Sequence, residues 1–448
     1  MREFDKRHLG ASLTDEYGNV HQLADELARG GQGVVFRTSD ADLAIKQPLD
    51  AAGQPDRRAN LRDRFRHIRL LPLPARVPVS LPLAILRDEP GYVMRLLNGM
   101  QSFEAFNLGA KTKQALEDDD TALPPWLAKV PDREMALRLL HYADTGSTRR
   151  RLYALARCAA ILARLHSAGL VYGDISTNNA FIGAGTSGEV WLIDADNMRF
   201  ELASAGTVVF TPSYGAPELV RRTDASRPRT DCWAFAVMAF KLLALCHPFI
   251  GKKVLEPEED EGGWDDEPLE DGAPADLDER AYAGYLPFVD DEVDRSNAST
   301  GGLRRTLVTT PGLRRLFQET FNAGRQHPHR RPTMAFWALE LARACDRSLA
   351  CAACGMSHFV DTYAACPYCG AVRPPFVRAK TARWDVLLPA GATEVALPHR
   401  LFHPFSFEHN DDTAYEAVLD FSNKTIVPVR GMGPFPDDLS FEFVEAET

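Results

Sequence analysis

The stretch that most constrains this chain is GLVYGDISTNNAFI, residues 169–182, which follows an apolar helical segment and leads into a strand. It places side-chain oxygens close together at Asp174, Ser176, Thr177, Asn178 and Asn179. Because Asn, Asp and Ser also favour ordinary turns, a plain loop is the alternative interpretation. A second strand, VWLID, ends at Asp194. Carboxylate and amide oxygens are also ligands for Mg²⁺, so the pattern is compatible with a metal site as well as with a plain loop.

Glycines near the start of the chain suggest a phosphate loop. In LARGGQGVVFRTSDADLAIKQ, residues 27–47, alternating apolar positions predict two strands joined by the polar turn TSDAD. The glycines precede the first strand, where they let backbone N–H groups approach phosphate oxygens. Lys46 would lie on the second strand with its ammonium available to a phosphate. A glycine cluster before a strand is often only a hairpin turn, so the interpretation depends on the lysine.

This segment resembles the glycine-rich loop and strand lysine of protein kinases, although Ala28 replaces the first glycine of the pattern. The resemblance implies that ATP is contacted by Gly30, Gly31, Gly33, Val35 and Lys46. GYVMRLLNG, residues 91–99, is similar to the strand and linker that bind adenine. Met94 would border the adenine pocket, and Arg95 and Leu97 would offer backbone contacts. A Met in an apolar strand is more often plain core, so this assignment rests on order in the chain.

The opening stretch resembles the kinase catalytic loop. The resemblance implies that Asp174 orients the proton of an attacking hydroxyl, and that Asn179 and Asp194 hold Mg²⁺ or Mn²⁺. Further matches follow in order. Ala216-Pro217-Glu218 matches the end of an activation segment, Asp231 and Trp233 lie on an apolar helix, and Arg331 is expected to pair with Glu218. Asp231, Glu218 and Arg331 would stabilise the fold in any case.

Several positions depart from the kinase pattern. The His and Arg before the catalytic Asp are Tyr172 and Gly173, so activation by a loop phosphate is not expected. The Asp-Phe-Gly triplet reads Asp194-Ala195-Asp196, which adds a carboxylate near the metal. The helical segment RRANLRDRFRHIRLLP contains no Glu to pair with Lys46. Its expected position holds His67, and Asp63 is the one nearby acid, so the partner of Lys46 is Asp63 or is absent.

Charge is concentrated in one segment of the 448 residues. The net charge is −11, but residues 256–279 hold 13 acidic residues and no Lys or Arg, which leaves −11 + 13 = +2 for the rest. We expect a solvated acidic insertion over residues 252–300, with docking to a basic partner as the alternative. The sequence has no concentrated basic stripe, so nucleic acid is not an expected partner. Its apolar runs are too short to span a membrane, so no membrane association is expected. With no signal peptide apparent, a cytoplasmic location is expected.

Two C-x₂-C pairs predict a structural zinc site. Cys351, Cys354, Cys366 and Cys369 place four thiolates on two tight turns, which suits tetrahedral Zn²⁺ with no open position. Disulfides are the alternative, which a reducing cytosol and C-x₂-C geometry disfavour.

The predicted fold class is α+β, a bilobal kinase-like fold followed by a zinc ribbon and a small all-β domain. The expected units are an N-terminal lobe at 1–97, a helical lobe at 98–345, the ribbon at 349–372 and a β-sandwich or barrel at 378–448.

The predicted function is an ATP- and Mg²⁺-dependent serine/threonine protein kinase acting on a protein substrate. The loop and ribbon together resemble kinases that act with a PP2C-type phosphatase and a von Willebrand A-domain protein in tellurite-resistance-type stress modules. A nucleotide-binding pseudokinase that recruits partners is the alternative. Small-molecule phosphotransfer is a third possibility, disfavoured by the Ala-Pro-Glu segment.

Overall fold

A six-stranded antiparallel sheet with one helix forms the N-terminal lobe of this computed structural model. Its strand order is β1-β2-β3-β4-β6-β5. The bounds are β1 Ser12–Thr14, β2 Val20–Arg29, β3 Gly33–Thr38, β4 Leu43–Pro48, α1 Leu61–Arg69, β5 Pro82–Ile85 and β6 Tyr92–Arg95. The structure describes residues 10–30, 33–50, 52–58, 60–118, 123–128, 130–184, 188–201, 210–256, 276–299, 301–382, 384–390, 394–397, 415–428, 435 and 437–446.

Helix α1 packs on this sheet through one apolar face. Leu61, Phe65 and Ile68 are buried at helical spacing, while the charged residues between them face outward. The Phe65 ring meets the Tyr92 ring of β6 edge-on, with 4.8 Å between centroids. The helix is shorter than the segment expected from the sequence, but it lies in the predicted place.

The second lobe is mostly helical. Its helices are α2 Ala110–Asp118, α3 Arg133–Asp144, α4 Ser147–Ser167, α5 Pro217–Val220, α6 Pro228–Ala244, α7 Lys252–Leu255, α8 Leu277–Tyr282, α9 Arg305–Val308, α10 Pro311–Gln318, α11 Gly324–Gln326 and α12 Met334–Asp346. A π-helical turn at Glu319–Ala323 joins α10 to α11. Helix α6 is almost entirely buried, as its apolar sequence dictates. Its Phe240 ring meets Phe288 and Phe317 edge-on at 5.4 and 5.2 Å.

Short strands flank the loops that lie between the two lobes. They are β7 Met100–Ser102, β8 Leu170–Val171, β9 Ala180–Gly183, β10 Val190–Leu192 and β11 Arg199–Phe200. The strands expected around 180–182 and 190–193 correspond to β9 and β10. Residues 78–80 of the first lobe run beside β10, since Ser80 N–H donates to Leu192 C=O at 2.8 Å and Leu192 N–H donates to Pro78 C=O at 3.0 Å. This contact places the end of β10 next to the N-terminal sheet.

Of the expected acidic insertion, 252–300, the structure describes residues 252–256 and 276–299. Residues 257–275, which contain most of the acidic residues, lie outside the described part of the chain. Residues 276–299 pack into the helical lobe, where Phe288 is buried and Asn297 Nδ2 donates to Phe249 C=O at 3.0 Å and to Pro287 C=O at 2.8 Å. The apolar YLPFV segment, residues 285–289, therefore lies in a packed part of the lobe, and the extent of the insertion stays a prediction.

The remaining strands lie beyond the helical lobe. Strands β12 Ser348–Ala350 and β13 Ser357–Phe359 pair in the cysteine-rich segment. Two three-stranded antiparallel sheets follow, in the orders β15-β14-β19 and β16-β17-β18. Their bounds are β14 Phe376–Lys380, β15 Asp385–Pro389, β16 Glu394–Leu397, β17 Tyr415–Asp420, β18 Thr425–Pro428 and β19 Ser440–Val444. Leu419 of the second sheet joins the apolar cluster of the first, so the two sheets share a core. In the described part of the chain, no helix is long and apolar enough to cross a bilayer.

Candidate active site

The buried carboxylate of Asp231 anchors the loop that contains Asp174. It lies near the start of α6 and accepts hydrogen bonds from the backbone N–H groups of Tyr172 at 2.8 Å and Gly173 at 2.9 Å. His166 Nε2, at the end of α4, lies 3.0 Å from Asp231 Oδ2, the oxygen that also accepts from Tyr172. One acid therefore fixes the loop to both long helices of the lobe.

Asp174 follows this anchor and is almost fully buried, with 8% of its surface exposed. Thr211 Oγ1 donates to Asp174 Oδ1 at 2.7 Å. Asn179 Nδ2 donates to the Asp174 carbonyl at 2.9 Å, which closes the loop on itself. Burial raises the pKa of Asp174, and the hydrogen bond from Thr211 and the charge of Lys46 oppose that rise. The result is a carboxylate that is held in one orientation and accepts a proton more readily than a solvated Asp.

The backbone explains why the loop departs from the kinase pattern. Gly173 has φ of 86°, and a Cβ at this position would lie 3.2 Å from the Asn197 carbonyl oxygen. An Arg here would be strained, since L side chains rarely adopt this conformation. Tyr172 is buried and donates its hydroxyl hydrogen to the Ile193 carbonyl. This hydrogen bond joins the loop to the residue that directly precedes Asp194.

Lys46 on β4 lies against two carboxylates. Its Nζ contacts Asp194 Oδ1 and lies 2.8 Å from Asp196 Oδ2. Asp194 lies two residues after the end of β10 and has a backbone φ of 59°. The short 3₁₀ turn Ala195–Asn197 follows it directly. The structure therefore brings together Lys46 of the first lobe and Asp194 of the second.

The three charges shift each other's pKa values. Burial lowers the pKa of Lys46, but the charges of Asp196 and Asp194 outweigh burial and raise it overall. Burial raises the pKa of Asp194 to about 6, against the charge of Lys46. For Asp196 burial also raises the pKa, but the charge and hydrogen bond of Lys46 outweigh it and the net direction is downward. Asp196 is thus the firmly ionised partner of the lysine.

The expected partner of Lys46 on helix α1 is not found. Asp63 has a side chain 82% exposed and pairs with Arg66 at 3.3 Å on the surface. His67 is exposed as well. The partner Asp196 lies 150 residues away in sequence from Lys46. The signal in the sequence was an extra Asp after Asp194 in a chain whose helix α1 has no suitable acid.

The two predicted Mg²⁺ ligands, Asn179 and Asp194, fit a divalent cation by their chemistry. Asn179 is oriented by its Nδ2 hydrogen bond, which leaves its amide oxygen Oδ1 available as a ligand. Asp194 has a side chain 28% exposed, and in the described hydrogen bonds only its Oδ1 is engaged. Ile193 N–H donates to the Asn179 carbonyl at 3.0 Å, which holds the two segments together. Hard oxygen ligands on adjacent segments suit Mg²⁺ or Mn²⁺.

The expected nucleotide contacts lie on the sheet around Lys46. Val35 is directly opposite Lys46 in the β3–β4 register, and Gly33 is opposite Pro48. Gly30 N–H donates to the Gly33 carbonyl at 2.9 Å across the turn, while Gly31 lies outside the described residues.

On β6, Met94 is buried opposite Ala44 of β4. Arg95 is the last residue of this strand, and its guanidinium carbon lies 5.0 Å from the centroid of the Trp191 ring. Leu97, which is half-buried, is two residues further along. The predicted linker thus continues from β6, the strand that pairs with β4 and places Tyr92 opposite Lys46.

The four predicted zinc ligands converge in the cysteine-rich segment. Their Sγ atoms all lie within 4.8 Å of one another, with Cys351 and Cys369 at 3.6 Å and Cys354 and Cys366 at 3.6 Å. A tetrahedral Zn²⁺ with bonds of about 2.3 Å separates its sulfur ligands by about 3.8 Å. The set therefore fits one zinc ion, and all four cysteines are free thiols.

The cysteine-rich segment, the predicted zinc ribbon, packs against the helical lobe. Cys351, Cys354 and Cys366 belong to the main apolar core. Ser357 caps the start of α4, because its N–H donates to Ser147 Oγ at 2.9 Å and its Oγ accepts from Arg149 N–H at 2.8 Å.

Comparisons with known proteins match part of this chain. The family model described as protein kinase domain matches residues 139–262. The serine/threonine-protein kinase PknD of Chlamydia felis (strain Fe/C-56) is 32% identical over 108 residues, an alignment that covers 20% of this chain and 12% of that protein. The chain thus spans only a small part of this relative, and Lys46 and the ribbon lie outside the family match. By sequence, residues 139–262 are similar to the protein kinase domain, and this segment contains Asp174, Asn179 and Asp194.

Proposed function

We propose that this protein is an ATP- and Mg²⁺-dependent protein kinase that transfers the γ-phosphate to serine or threonine hydroxyls. The observation that carries the proposal is the convergence of Lys46 with Asp194, beside a loop in which Thr211 and Asn179 orient Asp174. These groups come from two lobes and include the parts that phosphoryl transfer requires, namely a phosphate-binding cation, metal ligands and a carboxylate for the attacking hydroxyl.

In the proposed reaction Asp174 receives the hydrogen bond of the acceptor hydroxyl and takes its proton. The hydroxyl oxygen forms a bond to the γ-phosphorus while the bond from that phosphorus to the β–γ bridging oxygen breaks, leaving ADP. Lys46 neutralises the nucleotide phosphates. Asn179 and Asp194 would hold Mg²⁺, which when bound neutralises charge on the phosphate oxygens.

The specificity for serine and threonine is supported by the resemblance to a serine/threonine-protein kinase. Thr211 belongs to the FTPSYGAPEL segment, which the Glu218–Arg331 ion pair fixes next to Asp174. An ordered segment beside the acceptor carboxylate favours a peptide substrate over a small molecule.

We propose that Cys351, Cys354, Cys366 and Cys369 bind one structural Zn²⁺. The PP2C-type phosphatase, the von Willebrand A-domain protein, the stress module and the cytoplasmic location remain predictions from the resemblance. The two C-terminal sheets are the candidate docking unit for such partners. Arg378 of β14 contacts Asp361 at 3.0 Å, and Arg347 also contacts Asp361, so this unit is fastened to the ribbon.

The test is transfer of label from γ-labelled ATP, in Mg²⁺, to a generic protein substrate and to the protein itself, followed by phosphoamino acid analysis. Matched variants are Asp174→Asn, Asp194→Asn and the control Asp224→Asn, which replaces a half-exposed acid of the same lobe. Label on serine or threonine that the first two variants abolish and the control retains would support the proposal. ATP binding without transfer, also with candidate partner proteins as acceptors, would instead indicate a nucleotide-binding scaffold.

A further inference from the structure

The carboxylate of Asp196 is fully engaged inside the protein. Its Oδ2 lies 2.8 Å from Lys46 Nζ, and its Oδ1 accepts the Tyr92 hydroxyl hydrogen at 2.8 Å. The Asp196 side chain is 16% exposed. Asp194, in contrast, has a more exposed side chain and uses one oxygen on Lys46. The two acids of Asp194-Ala195-Asp196 therefore differ in role, and Asp194 is the one with an oxygen left for a ligand.

The backbone of Asp196 is held from helix α1. Arg64 Nε and Nη2 donate to the Asp196 carbonyl at 3.0 and 2.6 Å, and Nη2 also donates to Asn197 Oδ1 at 2.9 Å. The same helix turns Phe65 against the ring of Tyr92. Helix α1 thus contributes a basic side chain and an aromatic ring to this region, and the acid comes from the 3₁₀ turn.

We propose that Asp196 is the residue that positions Lys46 for the phosphates of ATP, with Tyr92 and Arg64 holding Asp196 in place. The inference rests on the proposed function, because it assigns a role in the same nucleotide site. In this arrangement the ion pair of Lys46 joins β4 to the 3₁₀ turn that contains Asp196, and not to helix α1. Lys46 is therefore oriented whenever Asp194-Ala195-Asp196 is folded, without an acid from helix α1.

A double-mutant cycle on ATP affinity tests this role. The variants are Asp196→Asn, Lys46→Met and the double variant, with Asp63→Asn as the control for an acid of helix α1 that faces solvent. Affinities for ATP with Mg²⁺ and for adenosine are measured by titration calorimetry. Adenosine lacks phosphates, so a variant that loses affinity for adenosine has a damaged fold. A variant that loses affinity for ATP alone has lost the interaction of Lys46 with the phosphates.

We expect Asp196→Asn and Lys46→Met each to weaken ATP binding by about tenfold and adenosine binding by less than about twofold. The double variant should bind ATP no more weakly than Lys46→Met, since Asp196 acts through the lysine. Tyr92→Phe should give a smaller loss of the same kind, and Asp63→Asn should bind ATP like the wild type.

Three results would overturn the inference. The first is wild-type ATP affinity in Asp196→Asn. The second is a double variant whose loss is the product of the single losses, which would mean that Asp196 contacts the metal or nucleotide independently of Lys46. The third is a wild type that binds no ATP, which would overturn the proposed function as well. If the wild type binds ATP and the cycle shows coupling but no phosphate is transferred, the proposed kinase activity is wrong. The positioning role of Asp196 then still holds.

Discussion

Arg331 and Glu218 form a two-pronged ion pair across 113 residues of sequence, with Nη1 2.6 Å from Oε1 and Nη2 2.8 Å from Oε2. The Arg331 side chain has no exposed surface, and its guanidinium lies 4.9 Å from the centroid of the Trp233 ring. The pair joins the end of the FTPSYGAPEL segment to the residues before α12. It is the partnership that the order of motifs predicted.

Breaking this pair should destabilise the protein strongly. Glu218→Gln leaves a buried guanidinium without its counter-charge, so we expect the free energy of unfolding to fall by about 3–5 kcal/mol. Urea denaturation checks this. The matched control is Glu340→Gln, whose partner Arg343 is half-exposed and which should cost less than about 1 kcal/mol. Equal losses in the two variants would show that the Glu218–Arg331 pair does not stabilise the lobe.

Removing the Thr211 hydroxyl should slow phosphate transfer without unfolding the site. Thr211→Val keeps the shape of the side chain and deletes the hydrogen bond to Asp174, so we expect kcat to drop by about tenfold, as the loss of a hydrogen bond to a charged group implies. Thr211→Ser retains the hydroxyl and should restore most of the rate. A steady-state comparison in which Thr211→Ser is as slow as Thr211→Val would contradict this role.

Stability should depend on pH through His166. Burial lowers the pKa of His166, but the hydrogen bond and charge of Asp231 outweigh burial and raise the pKa from 6.5 to about 9. Because the folded state binds the proton more tightly, this contribution is complete below pH 6.5 and disappears as the pH rises through 9. We expect about 2 kcal/mol of the unfolding free energy to be lost between pH 7 and pH 9. His166→Gln should lack this loss, and an identical pH profile in the variant would refute the assignment.

Zinc removal should weaken the helical lobe as well as the ribbon. Because Ser357 caps the start of α4, loss of the metal should lower the unfolding temperature of the whole lobe. We expect one zinc per chain by elemental analysis, lost in Cys354→Ser and retained in the control Cys246→Ser, which lies outside the cluster. Purified protein that contains no zinc and unfolds at the same temperature with and without a chelator would contradict the prediction.

Local patterns predicted the parts of the site that lie on one short stretch. Asp174 and Asn179 are five residues apart, so the loop sequence alone indicated that they belong together. The cysteine spacing likewise indicated the convergence of four Sγ atoms. In both cases the residues are close in sequence, and backbone geometry limits where their side chains can lie.

The partner of Lys46 could not be predicted in this way. Asp63 was the nearest acid on the expected helix, but its position on α1 turns it to solvent. In the sequence, Asp196 is only an extra carboxylate two residues after Asp194, which predicts a place near the metal. Its pairing with Lys46 depends on how residues 78–80 bring β10 to the sheet, which is a tertiary contact without a local signal.

The most direct test of the account compares phosphate transfer with nucleotide affinity in one variant. Asp174→Asn removes the proton-accepting carboxylate but leaves Lys46, Asn179 and Asp194 unchanged. We predict that its affinity for ATP with Mg²⁺ stays within about threefold of the wild type while kcat for transfer to protein falls by at least about a hundredfold. Transfer at the wild-type rate by Asp174→Asn, or no transfer by the wild type on any protein acceptor, would contradict the assignment of this site as a kinase active site.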